Sequence, residues 1–251
     1  MTANEMMSEL EKQLDAAGSD DAPYIPDEQG STFINDAITS LIKKVIFEGV
    51  EANEYNRGFI APLKRNSGTS NFVSTKVTSN LLTQAHDHGE MWTLPDNLYY
   101  ILQEDCLIDK RDCFTGELAT LNILPVSEDY YNLNIKNFEK KPYFNGADRD
   151  GLIWRLYYNN NISETPSFIN NKISELISDK TFNITQYNFR YLIKPRNVVI
   201  NRDNPALQGN SEIWDQFHFD IVNRATLIAI DNLRLVNRFQ TKGTLNAQQN
   251  L

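Results

Sequence analysis

The sharpest grouping of chemistry-bearing side chains is His86, Asp87 and His88, with Glu90 two residues on. On a strand, His86 and His88 would point to one face, as a chelating pair requires. A metal site would then need a third ligand, and His218 is the only other histidine. Gly89 follows the pair, and strand-like stretches flank it. A polar turn is therefore expected here, with His86 and His88 as weak metal candidates only. Cys106 and Cys113 sit among Glu104, Asp105, Asp109 and Asp112. Those acids oppose thiolate formation, so neither thiol is expected to act as a nucleophile. With no export signal, both are read as reduced. Two basic knots, Lys140-Lys141-Pro142 and Lys194-Pro195-Arg196, have Phe138, Tyr143, Phe144 and Tyr191 as neighbours. Aromatics interleaved with bases can hold single-stranded nucleic acid. Two isolated knots fit the protection of strand ends better. There is no glycine-rich phosphate loop and no G-x-S-x-G elbow. No catalytic residue and no cofactor is expected.

The elements that would position these groups fall into three blocks. Residues 1–30 carry eight acids and one base, so −7 of the net charge of −9 lies there. Gly18 and the stretch SDDAPYIPDEQG break any helix formed by MSELEKQLDAAG. This leader is expected to be an acidic, flexible arm. The rest is nearly neutral, which argues against a broad phosphate-binding face. A first helix is expected near 33–53, with Ser31 or Thr32 as N-cap. Ile34, Ala37, Ile38, Leu41, Ile42, Val45 and Ile46 recur at three- and four-residue spacing. A second helix is expected near 212–234 from Ile213, Trp214, Phe217, Ile221, Ala225 and Ile228. Residues 236–251 read as a polar tail.

Between the helices, residues 72–200 change period. FVSTKVTSNLL, NLYYILQEDCLI, LATLNIL and GLIWRLYY are rich in β-branched and aromatic residues. NKISELIS and QYNFRYLI look like a facing antiparallel pair joined by a turn, and SEDYYNLN suits one short helix. The expected fold class is α+β: long N- and C-terminal helices flanking a β-rich, mostly antiparallel centre, with residues 31–235 forming one domain. No run of about 18 apolar residues exists, so no membrane span is expected.

Several stretches carry a family likeness: FINDAITSLIKKVIFEGVEANEYNRGFIAPLK, LPDNLYYILQEDCLI, GLIWRLYY, KISELIS with YNFRYLIKPRNVVI, and SEIWDQFHFDIVNRATLIAIDN. Their order over residues 33 to 235 resembles structural proteins of the head-to-tail connector in crAss-like bacteriophages. The resemblance implies a non-enzymatic virion protein, assembled in the bacterial cytoplasm. It would form a homo-oligomeric, dodecameric ring in the neck or tail barrel around the DNA channel. The implied partners are further copies of the chain, the portal protein, adjacent ring proteins, and DNA that passes through without sequence-specific binding. Thirteen Phe, eleven Tyr and three Trp supply material for the two faces a ring subunit needs. Leu41, Val45, Trp214, Phe217 and Ile221 are the residues expected at the inter-subunit or packing core. The alternatives are another tail, baseplate or cargo protein of a virion, and a soluble enzyme.

Overall fold

The computed structural model describes residues 1–16, 25–49, 53–68, 72–77, 86, 88–110, 118–145, 150–158 and 172–232. The fold is α+β, with helices at both ends of the sequence and a mostly antiparallel sheet between them. Two compact units divide the chain: residues 1–63 with 195–251, and residues 64–194. A single domain over 31–235 is expected from the sequence; the structure distributes that stretch over both units.

In the helical unit, α1 spans Ala3–Ala16 where a solvated arm is expected. Ala3, Met6, Met7, Leu10 and Leu14 form one buried face, and the acids that dominate its composition lie elsewhere on the helix. Helix α2 runs Asp27–Glu48, six residues earlier at its start than the expected 33. Pro26 stands at the N-cap, and Asp27 and Glu28 complement the dipole of the first turn. Ser31 and Thr32 are not caps. Their hydroxyls donate back to the Asp27 and Glu28 carbonyls at 2.7 and 2.9 Å. The helix stops before Gly49, whose φ of 88° favours glycine. Asn53 then caps a separate helix, α3 (Glu54–Ile60), by accepting the Asn56 amide at 2.7 Å. Gly30 is the crossing point of α1 on α2: a Cβ there would stand 2.4 Å from the Met7 sulfur.

The C-terminal helix occupies 218–232, later than the expected start at 212. The Ser211 hydroxyl accepts the Ile213 amide, Glu212 pairs with Arg196, and a single 3-10 turn (Asp215–Phe217) leads in. This helix packs with the N-terminal helices. Arg224 donates to Ser40 of α2 at 3.0 Å, and Gln13 of α1 donates to Asn223 at 2.9 Å. The connecting segment 195–211 is tied to α1 and α2. Asn35 and Val198 exchange two bonds at 2.8 and 2.9 Å, and Arg202 reaches both Glu11 and Asp27.

The other unit is an eight-stranded sheet: β1 (Lys64–Asn66), β2 (Gly89–Leu94), β3 (Leu98–Lys110), β4 (Leu118–Pro125), β5 (Tyr143–Asn145), β6 (Asp150–Tyr158), β7 (Lys172–Ile177) and β8 (Phe182–Ile193). The order is β1-β8-β3-β4-β6-β7-β2, with β5 added beside β6; among the described residues only β4 and β6 pair in parallel. Within FVSTKVTSNLL the described residues 72–77 contribute an isolated bridge, Lys76 to Trp92, and residues 78–82 lie outside the described residues. The expected short helix is present as α4 (Glu128–Asn134), capped by Ser127. It covers β6 and β7 through Tyr131, Trp154, Leu156 and Ile177.

The consecutive strands β7 and β8, expected to face each other, do not pair. β7 lies between β6 and β2, and β8 between β1 and β3. In a flat sheet four strand spacings of about 4.8 Å would put them about 19 Å apart. The five peptide steps from Ile177 to Phe182 reach about 17 Å when fully extended. The sheet therefore curls. The Trp92 ring of β2 lies 6.3 Å from the Tyr187 ring of β8, although β3, β4, β6 and β7 separate the two strands in the order. The link itself turns through Lys180 at φ 64°, with Asp179 accepting the Thr181 amide. No helix among the described residues is long and apolar enough to cross a membrane.

Candidate functional site

The histidine cluster folds as a clasp. The His86 amide donates to Glu175 Oε1 at 2.6 Å, its Nδ1 lies 2.9 Å from Glu175 Oε2, and its Nε2 lies 3.4 Å from Glu128. The ring packs edge-on against Tyr131, centroids 4.2 Å apart. Gly89 makes room for the fully buried Glu175, since a Cβ there would stand 1.7 Å from Oε1. His88 is exposed on the turn at φ 72°, so it does not share a face with His86. Asp87 lies outside the described residues. The buried His218 donates from Nε2 to the Ile213 carbonyl at 2.8 Å within the helical unit. Among the described residues no group of three or more His, Cys, Asp or Glu is placed to hold a metal. What the arrangement does is fasten the turn 86–89 to β7 and α4.

Cys106 is buried, with its thiol directed at the Leu121 carbonyl at 3.9 Å. Burial first, and then the charge of Asp105, pushes the thiol up to about 12, which leaves it inert. Cys113 lies outside the described residues. The basic knots have local contacts. Lys141 stands 5.3 Å over the Phe138 ring, Arg196 pairs with Glu212 at 3.1 Å, and the Lys194 amide donates to the Asn97 carbonyl.

A buried polar cluster lies inside the curled sheet and has no local sequence signature. Arg155 of β6 meets Glu104 of β3 at 2.8 Å, and Tyr187 of β8 donates to the same carboxylate at 2.8 Å. Burial raises the Glu104 carboxyl despite the guanidinium beside it, and raises Tyr187 further. The signal that could have found Glu104 is its place in β3: it shares strand parity with the buried Cys106 and Ile108. Glu104 and Arg155 of this cluster line a cleft of about 500 Å³. β3 and β4 pair only from Asp105 and Asn122 onward, so Leu98–Glu104 has β8 on one side and no paired strand on the other among the described residues.

The residues expected at the packing core separate into two groups. Val45, Phe217 and Ile221 are buried within the helical unit, and Leu41 is half-buried. Phe217 packs edge-on against Tyr55 and Phe59, at 5.1 and 5.4 Å. Trp214 instead faces outward and is 50% exposed, as are Phe219 (51%) and Leu227 (55%). The helix is thus apolar on two sides, which periodicity alone does not resolve.

The assembled geometry contains anchoring contacts and outward apolar side chains, and no constellation for turnover among the described residues. No curated protein matches the chain. The family model described as phage tail ring protein 3/4 matches residues 1–238. The chain therefore belongs to the phage tail ring protein 3/4 family of crAss-like phages, non-enzymatic structural components of the virion.

Proposed function

We propose that this protein is the subunit of a closed, dodecameric ring in the head-to-tail connector, stacked below the portal and encircling the DNA channel. A tail ring is built from copies of its own chain. The observation that carries the reading is the second apolar side of the C-terminal helix. Phe219 and Leu227 on the helix, and Trp214 ahead of the 3-10 turn that leads into it, stay half exposed although Ile221, Val222, Ala225 and Ala229 already bury the first side. A helix with two apolar sides has a use for a second partner. The net charge of −9 suits a channel that does not hold DNA. The portal protein and the neighbouring rings of the tail are the partners this reading implies above and below. Leu41, Val45, Phe217 and Ile221 serve the ring by holding the helical unit together, while Trp214 lies at the surface available to another copy.

Native mass spectrometry and negative-stain imaging of the full-length protein test the reading. A single closed species of twelve copies is expected. Monomers at every concentration, together with absence of the chain from any annular layer of the tail in a virion reconstruction, would refute it. Phe217→Ala is expected to destabilise the helical unit by about 3–5 kcal/mol and to lower ring yield through folding; denaturant titration measures it.

A further inference from the structure

A closed ring joins one face of each subunit to a different face of the next. Two apolar features of the described residues stand ready for this, one in each unit. The first is the outward row of the C-terminal helix, where Phe219 and Leu227 are linked by steps of four through Asn223, with Trp214 just ahead. The second is the cleft beside the first half of β3, walled by Tyr99, Tyr100, Leu102, Ile123 and Pro125. Tyr100 is 44% exposed at its rim. Pro125 brings no N–H to that edge, so β4 cannot extend its pairing with β3 through this residue.

We propose that the Phe219–Leu227 side of the C-terminal helix of one copy, together with Trp214, seats in the β3–β4 cleft of the next copy, forming the repeating contact of the ring. The inference rests on the ring reading. A second copy is the occupant because a ring protein implies a homo-oligomer, and because the cleft exposes more apolar than polar surface to an apolar row. The charges that line the cleft, Glu104 and Arg155, neutralise each other, so the site has no unpaired charge with which to hold an ionic ligand. What remains is a recess of mixed lining in which the apolar share is the larger and, elsewhere on the same chain, an apolar ridge of the kind that enters such recesses.

The test uses the full-length chain with Cys106→Ala and Cys113→Ser, carrying Tyr100→Cys and Leu227→Cys together and treated with a short bis-maleimide. The contact predicts a ladder of covalent multimers on denaturing gels, at least tenfold stronger than with Leu133→Cys and Leu227→Cys as the control pair. Single variants Leu227→Glu and Tyr100→Glu should keep the wild-type melting temperature within about two degrees and lose at least nine tenths of the ring in native mass spectrometry. Rings that persist in both glutamate variants, or a cross-link confined to single chains, would overturn this contact and leave the ring reading standing. Failure of the wild type to form rings in isolation and in virions would remove both. If a glutamate variant melts early, the cross-linking arm decides.

Discussion

Each unit of the molecule holds an arginine paired with acids, Arg202 in one and Arg155 in the other, and the two arginines live in different media. Arg202 in the helical unit is 31% exposed and holds Glu11 and Asp27, themselves 34% and 25% exposed, together with the Ile25 carbonyl. Arg155 in the sheet unit is 11% exposed and holds Glu104, which is 7% exposed. The backbone amide of Arg202 and its guanidinium keep the Asp27 carboxyl below its ordinary range. Burial moves Glu104 the other way, up, even with a cation in contact. The same pair of functional groups thus tightens its acid in one place and strains it in the other. The difference is solvent: near water the partner dominates, and inside the curled sheet desolvation does.

Replacing Arg155 with Met should cause the largest loss, about 3–5 kcal/mol, because Glu104 would stay buried without its cation. Denaturant unfolding with tryptophan fluorescence is a suitable readout, since Trp92 and Trp154 both lie in the sheet. The triple change Arg155→Met, Glu104→Leu and Tyr187→Phe should recover most of that loss. A triple variant as unstable as the single one would mean that the cluster contributes through shape, not charge. Replacing Arg202 with Met should cost only about 1 kcal/mol, since a half-exposed network is screened. A loss as large as that of Arg155→Met would erase the contrast.

The pH dependences should have opposite signs. Asp27 has a lowered folded pKa, so its contribution is complete above the unfolded value of about 4 and disappears as pH falls through the folded value. Asp27→Asn should therefore flatten the acid limb of the stability curve below about pH 4. Glu104 has a raised folded pKa, so the folded state takes up its proton first. Acidification from neutral pH toward about 4.5 favours folding through this group. Glu104→Gln should remove that gain, whose slope for a single proton is bounded at about 1.4 kcal/mol per pH unit; melts between about pH 4.5 and 7 measure it.

Much of the helical unit is legible because its signals are local. The spacing of Ile34, Ala37, Ile38, Ile42 and Val45 marks α2, and each of these residues is buried. Helix α1 carries the same kind of signal in Met6, Met7, Leu10 and Leu14, but its acidic composition points to a solvated arm. In the sheet, Tyr187, Phe189 and Tyr191 alternate as a half-buried strand should, and all three are buried. The partner of that strand is not legible. The short SDKT link suggests a hairpin with β7, whereas the strand pairs with β3, 83 residues away where Asp105 faces Asn188. Arg155 and Glu104 meet for the same non-local reason. At the candidate surface, periodicity locates the helix but does not say which apolar side faces in, so Trp214 and Phe217 look alike.

The division of the chain has a consequence for synthesis. Residues 64–194 are continuous, so the sheet unit can complete itself while the ribosome is still adding the C-terminal segment. The helical unit combines residues 1–63 with residues after 194, so its packing is complete only once Phe217, Ile221 and the segment around Arg202 have been translated. The ridge at Phe219 and Leu227 is presented last. Under the contact proposed above, a chain cut short before Phe219 would carry the recess without the ridge, and could terminate a growing arc but never close it.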